Sequence, residues 1–295
     1  MKVLLAEYAT SHDPTLAPEG AAMLETVKQS FERCGYEIVS PGIGDFAAEI
    51  ERLAPQCAMG LVIAPDHLLA RYTQILEQHT HNLGCGFMTV ALCANKLQTE
   101  KILRSHGVFV PSEVITGKRV VKPVKGCGAQ GVRVTKDPAG NGEFGQQYIE
   151  GDHLSVSIVA SRVIGDACLY FTGNPPLVLS VNSQHIEQDA NGLIHYLGGE
   201  TPVHPAREAE IIEVAKKAII VLGLQGYCGV DVVVADQVYV VDVNPRITTS
   251  LVGIAACMKE EIAEILVDAS KGGGPKQVQL EGSVRFDMHG KVTSI

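Results

Sequence analysis

No Cys-x-x-Cys pair and no zinc-like spacing occurs among the eight cysteines, at 34, 57, 85, 93, 127, 168, 228 and 257. Scattered cysteines in a chain of 295 residues read as buried, reduced thiols, which predicts a cytoplasmic protein. A membrane span is missing too: the longest uncharged run, 167–186, contains Asn174, Pro175, Pro176, Asn182 and Gln184. The opening Met1-Lys2-Val3-Leu4-Leu5-Ala6 meets Glu7 too soon for a signal peptide. There are no internal repeats and no low-complexity tracts. What remains is 46% hydrophobic with a mean hydropathy of +0.14, enough to bury a sizeable core and too apolar for disorder.

Charge is scarce and uneven. The net charge of −9 argues against a nucleic-acid coat or a membrane-surface binder. Between Asn95 and Lys136, however, nine basic residues face two acidic ones, so that window is +7 and the remainder is −16. An acidic protein with one basic segment points to a local anion site.

Hydrophobic periodicity predicts β-α-β-α-β-α-β over the first part of the chain. The strands are Lys2 to Tyr8, Tyr36 to Ser40, Gly60 to Ala64 and Gly86 to Ala91; the helices are Gly20 to Cys34, Gly44 to Leu53 and His67 to His81. That alternation is a small parallel α/β domain over 1–92. Asn95 can cap a helix from Lys96 to Ser105, with Gly107 past its end. Short strands follow at Arg119 to Val124, Gly131 to Thr135 and Gln146 to Glu150, closing a second unit over 93–153. A third, 154–295, carries strands at Leu154 to Ala160, 167–172, Leu177 to Val181 and Gly192 to Tyr196. It adds a helix from Ala206 to Leu222, a hairpin over Gly229 to Val243 and a helix near Ser250 to Ser270. The stretch from Gly272 to Ile295 has no assigned place.

Two motifs carry chemistry. The segment 126–131 fits GxGxxG through Gly126, Gly128 and Gly131, with Glu150 standing 19 residues further on. A dinucleotide fingerprint needs its last glycine to open a helix. Here Val132-Arg133-Val134-Thr135 follows, so the loop joins two strands and the Rossmann reading fails. Backbone amides of such a loop can still cradle phosphate. Lys122 on the entering strand and Lys96 at the helix start are the phosphate charges, whereas Lys118, Arg119, Arg133 and Lys136 read as surface charges.

The second motif is the hairpin around Ala235-Asp236-Gln237. A two-residue loop, or a four-residue one, sets Asp231 opposite Asp242 with Asn244 on the same face; a three-residue loop puts the two aspartates on opposite faces. Facing carboxylates in an apolar hairpin require a cation between them, and with an amide oxygen they form a hard-oxygen site suited to Mg²⁺, with Mn²⁺ as the alternative ion. Arg246, in Asn244-Pro245-Arg246, is a planar donor fork beside that site, suited to a carboxylate or a phosphoryl group. Thr248, Thr249 and Ser250 either cap the next helix or present hydroxyls to an anion.

Lysine on a strand, a glycine-rich strand–loop–strand, Gln147-Tyr148-Ile149-Glu150-Gly151 and Asp…Asp-x-Asn-Pro-Arg together resemble the ATP-grasp superfamily. The resemblance implies an ATP-grasp fold: α/β at the N-terminus, with a Rossmann-like domain preceding the grasp, and α+β beyond it. ATP would lie between two subdomains under a glycine-rich lid. It implies Lys96 and Lys122 on the phosphates, the backbone of Gln147, Tyr148 and Ile149 on adenine, and Asp152 or His153 on the ribose, where many members have Glu at the position of His153. Asp231, Asp242 and Asn244 would hold Mg²⁺, and Arg246 would steady an acyl phosphate, with Arg246 and Lys122 as catalytic residues. Further stretches resemble the tyramine–glutamate ligases of methanofuran biosynthesis: Glu7-Tyr8-Ala9, residues 18–24, Ala64-Pro65-Asp66, residues 179–184 and 196–199. Asn182, Gln184 and Tyr196 then fall where an acceptor pocket would be.

The reaction this implies is ATP-dependent ligation of a small-molecule carboxylate to an amine through an acyl phosphate, with glutamate and tyramine as the pair. The resemblance names no base for the amine; His153, His185 and His195 are candidates by proximity in the sequence. Rival readings are another amino-acid or peptide ligase, a carboxyphosphate-forming subunit, and a non-catalytic ATP sensor. Neither nucleic acid nor membrane is expected as a partner, and a homo-oligomer is compatible with the resemblance.

Overall fold

The computed structural model describes residues 1–126, 130–161 and 174–295. The strand expected at 167–172 and the loop glycine Gly128 lie outside the described residues.

The chain opens with β1 (Lys2–Glu7), α1 (Ala9–His12), α2 (Ala17–Arg33), β2 (Glu37–Val39), α3 (Phe46–Leu53), β3 (Met59–Ile63), α4 (Asp66–His79), β4 (His81–Asn82) and α5 (Phe87–Cys93). The strands form one parallel sheet in the order β2-β1-β3-β4. β1 is apolar at successive positions because both of its faces are covered. Leu4 and Ala6 join one core while Val3 and Leu5 join the other. The fourth strand is not at Gly86 to Ala91. That segment is α5, started at Gly86 and tightened by the Thr89 hydroxyl donating to the Gly86 carbonyl at 2.9 Å. A short apolar run cannot distinguish a buried strand from a buried helix by periodicity. The actual edge strand is the polar pair His81–Asn82.

Next comes α6 (Lys96–Ser105), whose cap is as expected: the Asn95 side chain accepts from the Gln98 amide at 3.1 Å, and Gly107 turns out at φ +70°. A three-stranded antiparallel sheet follows, from β5 (Arg119–Pro123), β6 (Arg133–Thr135) and β7 (Glu143–Gln147), in the order β6-β5-β7. β7 sits three residues earlier than the sequence pattern indicated. The segment Tyr148-Ile149-Glu150 is therefore a connection into β8 (Asp152–Ala160), not a strand.

The large central sheet is antiparallel, with β8, β9 (Leu177–Ser183), β12 (Gly226–Val234) and β13 (Val238–Asn244) in the order β13-β12-β8-β9. Beside it lie β10 (His185–Gln188), β11 (Ile194–Thr201), β14 (Val284–Asp287) and β15 (Val292–Ser294), in a fourth sheet. This places the C-terminal stretch: β14 pairs antiparallel with β11, and Phe286 is 1% exposed. The helix α7 (Glu208–Leu222) ends at the left-handed Gly223. The single helix expected over Ser250 to Ser270 is two, α8 (Ser250–Cys257) and α9 (Ile262–Ser270). Between them Met258 is extended, and the Lys259 amide is bonded to the Gln279 carbonyl at 3.0 Å. An incoming strand-like segment captures that backbone, so the helix cannot continue.

Both apolar cores are shared between the parallel sheet and the central sheet. One joins Leu4, Ile50 and Leu76 to Val156, Cys228 and Val230; the other joins Val3, Phe31 and Leu61 to Val159, Tyr227 and Leu266. Six of the cysteines are described as free thiols, five of them buried. Among the described residues no helix is long and apolar enough to cross a membrane.

Candidate active site

A cavity of about 370 Å³ opens between the β5–β7 sheet and the central sheet. The sequence pattern put its two charged walls in different parts of the chain, and the fold brings them face to face. Lys96, Lys122, Gly126, Gln147, Tyr148, Ile149, His153, Asp231, Asp242, Asn244 and Arg246 all line it. Asp152 and Gly131 are exposed and do not.

The hairpin reaches its register by an unexpected route. Its loop has three residues, Ala235-Asp236-Gln237, the length that alone would send Asp231 and Asp242 to opposite faces. A β-bulge corrects this. Pairing runs Val234↔Val238 to Val232↔Val240, then resumes as Asp231↔Asp242, leaving Val241 without a cross-strand partner. The two carboxylates end up opposite each other, with Asn244 two residues along. The bulge also releases the Val241 carbonyl, which accepts from Lys122 Nζ at 2.9 Å.

Lys96 and Lys122 are both buried, at 8% and 5% exposure, so neither is a solvated surface charge. Lys96 Nζ donates to Asp242 Oδ2. Lys122 Nζ pairs with Glu100 Oε1 at 3.0 Å and stands 5.2 Å from the Phe144 ring centroid. Glu100 is one helical turn beyond Lys96 on α6, on the same buried face. Burial pulls the Lys122 ammonium pKa down, and Glu100 opposes it only in part. For Lys96 burial acts the same way, but Asp242, Asp66 and Asp231 outweigh it and the net direction is up.

The facing aspartates split. Burial, then the neighbouring Asp242 charge, pushes the Asp231 carboxyl up to about 7. Burial also raises Asp242, but Lys96 and Lys122 overcome it and hold that carboxyl below its ordinary value. Asp231 has only amide donors: Asn244 Nδ2 at 3.0 Å on Oδ2 and Gln184 Nε2 at 3.0 Å on Oδ1. Two facing carboxylates and an amide oxygen are donor types that suit a hard cation.

Arg246 is held from behind. Its Nε donates to Asp66 Oδ1 at 2.7 Å, and Nη1 donates to the Ile247 carbonyl at 3.1 Å. Asp66 begins α4 in the parallel-sheet segment and is 6% exposed. The hydroxyls after Arg246 do not cap α8 with their side chains. Tyr227 joins Ser157, Thr248 and Ser250 in one buried network, and Thr249 Oγ1 donates to Glu19 Oε1. Gly229 fits here because a Cβ would meet Thr248 Cγ2 at 2.9 Å.

Of the expected acceptor residues, Gln184 and Tyr196 line the cavity, whereas Asn182 is fully buried. Its amide donates to Ser155 and Ser157 and its oxygen accepts from Thr201. Among the histidines only His153 reaches the cavity, and burial lowers its pKa. Arg119 is no surface charge: at 5% exposure, its guanidinium is bonded to the carbonyls of Ile115, Gly117 and Lys136. Lys118 lies 3.8 Å from the Tyr148 ring centroid, and Arg133 is paired with Glu143 at 2.6 Å. Sequence reasoning missed Glu100, Asp66, Glu19 and the bulge. Glu100 left a signal in its four-residue spacing from Lys96, and Asp66 and Glu19 lay in stretches picked out by resemblance with no role attached.

Residues 93–250 match the ATP-grasp domain family. A tyramine–L-glutamate ligase of Methanocaldococcus fervens is 30% identical over 70% of this chain and 64% of its own length. The counterpart from Methanocaldococcus jannaschii is 30% identical over 70% of this chain and 61% of its own. This chain thus matches less than two thirds of either relative. The structure superposes on an ATP-grasp superfamily protein from Archaeoglobus fulgidus with a TM-score of 0.76 and 29% identity, over 97% of this chain and 92% of that one. It also superposes on the ATP complex of a Bacillus anthracis D-alanine–D-alanine ligase, with a TM-score of 0.64 and 17% identity, over 92% and 97%. With this fold, these matches and two charged walls around one cavity, the chain belongs to the ATP-grasp family.

Proposed function

We propose that this protein is an ADP-forming carboxylate–amine ligase that works through an acyl phosphate, and that its substrates are glutamate and tyramine. The observation that carries the reading is the convergence of the facing pair Asp231 and Asp242 with Lys96 and Lys122 on one cavity. The substrate pair rests on the 30% identity to tyramine–L-glutamate ligases.

ATP would lie with adenine against the backbone of Gln147, Tyr148 and Ile149, beside Gln146. The buried Gln146 Nε2 has no hydrogen-bond partner among the described residues. His153, whose pKa burial lowers, would meet a ribose hydroxyl; Asp152 is exposed and does not line the cavity. Lys96, Lys122 and the amides around Gly126 neutralise the phosphates. Asp231, Asp242 and Asn244 fit Mg²⁺, which when bound supplies charge neutralisation across the phosphates. Lys96 and Lys122 now sit on Asp242, Glu100 and the Val241 carbonyl, so they are held in place before ATP arrives.

The substrate carboxylate attacks the γ-phosphorus, and ADP departs. Arg246, fixed by Asp66, steadies the acyl phosphate. An amine then attacks the acyl carbon, and phosphate leaves. No side-chain nucleophile is required. The test is mass spectrometry of mixtures of protein, MgATP, glutamate and an amine panel. γ-Glutamyltyramine together with ADP is expected. ATP hydrolysis that ignores both the amine and the carboxylate would sink the reading.

A further inference from the structure

Three carboxylates among the described residues line the cavity: Asp231, Asp242 and Glu19. The first two form the facing pair of the hairpin. Glu19 comes from elsewhere, the first turn of α2, where the helix dipole favours a negative charge. It is half-buried, and its carboxylate accepts from the Thr249 hydroxyl.

The position of Glu19 is fixed by packing. Glu7, buried at the end of β1, accepts from the amides of Ala9 at 2.7 Å and Thr10 at 2.8 Å. The same carboxylate lies against Gly20, where a Cβ would come within 2.2 Å of Glu7 Oε1. Only glycine lets α2 come this close, and the contact sets the residue before it, Glu19, at the cavity wall.

The charge pattern then singles Glu19 out. Each cation lining the cavity already has an acid: Lys96 has Asp242, Lys122 has Glu100 and Arg246 has Asp66. Glu19 has a hydroxyl instead. It is also separated from the hairpin along the chain, because its partner Thr249 follows Arg246 whereas Asp242 and Asn244 precede it. The Tyr196 ring lines the same cavity; burial raises the phenol's pKa most, followed by the Asp231 charge and then that of Glu19. A carboxylate beside an aromatic wall, in a cavity whose lysines and arginine are already paired with other acids, suits an organic ammonium.

We propose that Glu19 binds the ammonium group of the acceptor and removes its proton, and so is the base of the ligation. The proposal rests on the ligase reading above and supplies the group that reading leaves unnamed. The ammonium gives one proton to the Glu19 carboxylate and becomes a neutral amine. The nitrogen lone pair forms the C–N bond at the acyl carbon, and the C–O bond to phosphate breaks with its electron pair leaving on the phosphate. The second nitrogen proton goes to the departing phosphate, and Glu19 returns its own proton to solvent. His185 and His195 do not line the cavity, and His153, which does, is assigned above to the ribose.

The experiment separates acyl-phosphate formation from amine attack. Hydroxylamine, uncharged at neutral pH, traps an acyl phosphate as the hydroxamate without needing an ammonium site. With MgATP and glutamate, Glu19→Gln is expected to make hydroxamate at close to the wild-type rate. Its kcat/KM for tyramine falls by about 100-fold or more, and Glu19→Asp recovers part of the loss. Two results would overturn the proposal: undiminished tyramine ligation by Glu19→Gln, or equal loss of hydroxamate and amide in both variants while MgATP still raises their Tm. Wild-type protein that makes no hydroxamate from glutamate would overturn the ligase reading, and this proposal with it.

Discussion

At the scale of single residues the site is a set of opposing charges, most of which have partners before any substrate arrives. Asp231 and Glu19 have only neutral donors, and a pKa of about 7 makes cation uptake at Asp231 compete with a proton. An aspartate whose native pKa stands above its unfolded value binds a proton on folding, so stability falls as pH rises between about 4 and about 7. A cation that occupies the site removes that penalty. Mg²⁺ is therefore expected to raise Tm by a larger step at about pH 8 than at about pH 6; thermal scans at both pH values check this, and equal steps would contradict it. Asp231→Asn is expected to lower kcat by at least about 100-fold while leaving the protein folded, which steady-state ADP release would measure. Residue types and spacing made Lys96, Lys122, Asp231, Asp242, Asn244 and Arg246 readable as candidates. They gave no sign of Asp66 or Glu19, because a contact across 180 or 230 residues leaves no trace in local spacing.

At the scale of elements the β12–β13 hairpin shows where such reading stops. Alternation along the strands was plain, but the loop length and the bulge both shift register by one, and only their combination puts Asp231 opposite Asp242. Deleting Val241 removes the bulge and leaves Asp231 opposite Asp242, but takes away the carbonyl that holds Lys122. That deletion is expected to abolish ADP formation, whereas Val241→Ala keeps it, since the carbonyl that Lys122 uses belongs to the backbone. The same limit explains α5, an apolar run without a distinguishing period, and the split between α8 and α9, made by residues about twenty positions away. The tail from 272 onward could not be placed from sequence because its partner, β11, lies far upstream in the chain. Phe286 in β14 packs where Gly253 of α8 leaves room: a Cβ there would meet the Phe286 ring at 2.7 Å. Phe286→Ala is expected to cost about 3–5 kcal/mol, measured by denaturant unfolding.

At the scale of the whole molecule, the net charge of −9 conceals two walls of one cleft. The basic window supplies α6 and the β5–β7 sheet, and the acidic remainder supplies the hairpin across from them. The α/β alternation and the two-walled grasp were legible from sequence. The shared cores, and the ion pair by which Asp66 of the parallel-sheet segment holds Arg246 of the central segment, were not. Removing one partner of a buried pair leaves the other uncompensated. Asp66→Ala is therefore expected to lose about 3 kcal/mol of stability and to lower kcat more than it raises the KM for ATP. Calorimetry and steady-state kinetics read the two effects separately.

Activation of the carboxylate by the γ-phosphoryl group, as proposed, is tested by following the oxygen. Glutamate labelled with oxygen-18 in its side-chain carboxyl is turned over with MgATP and tyramine, and the released phosphate is examined by mass spectrometry. One labelled oxygen is expected in each phosphate released with the amide. Amide formed alongside unlabelled phosphate would contradict it.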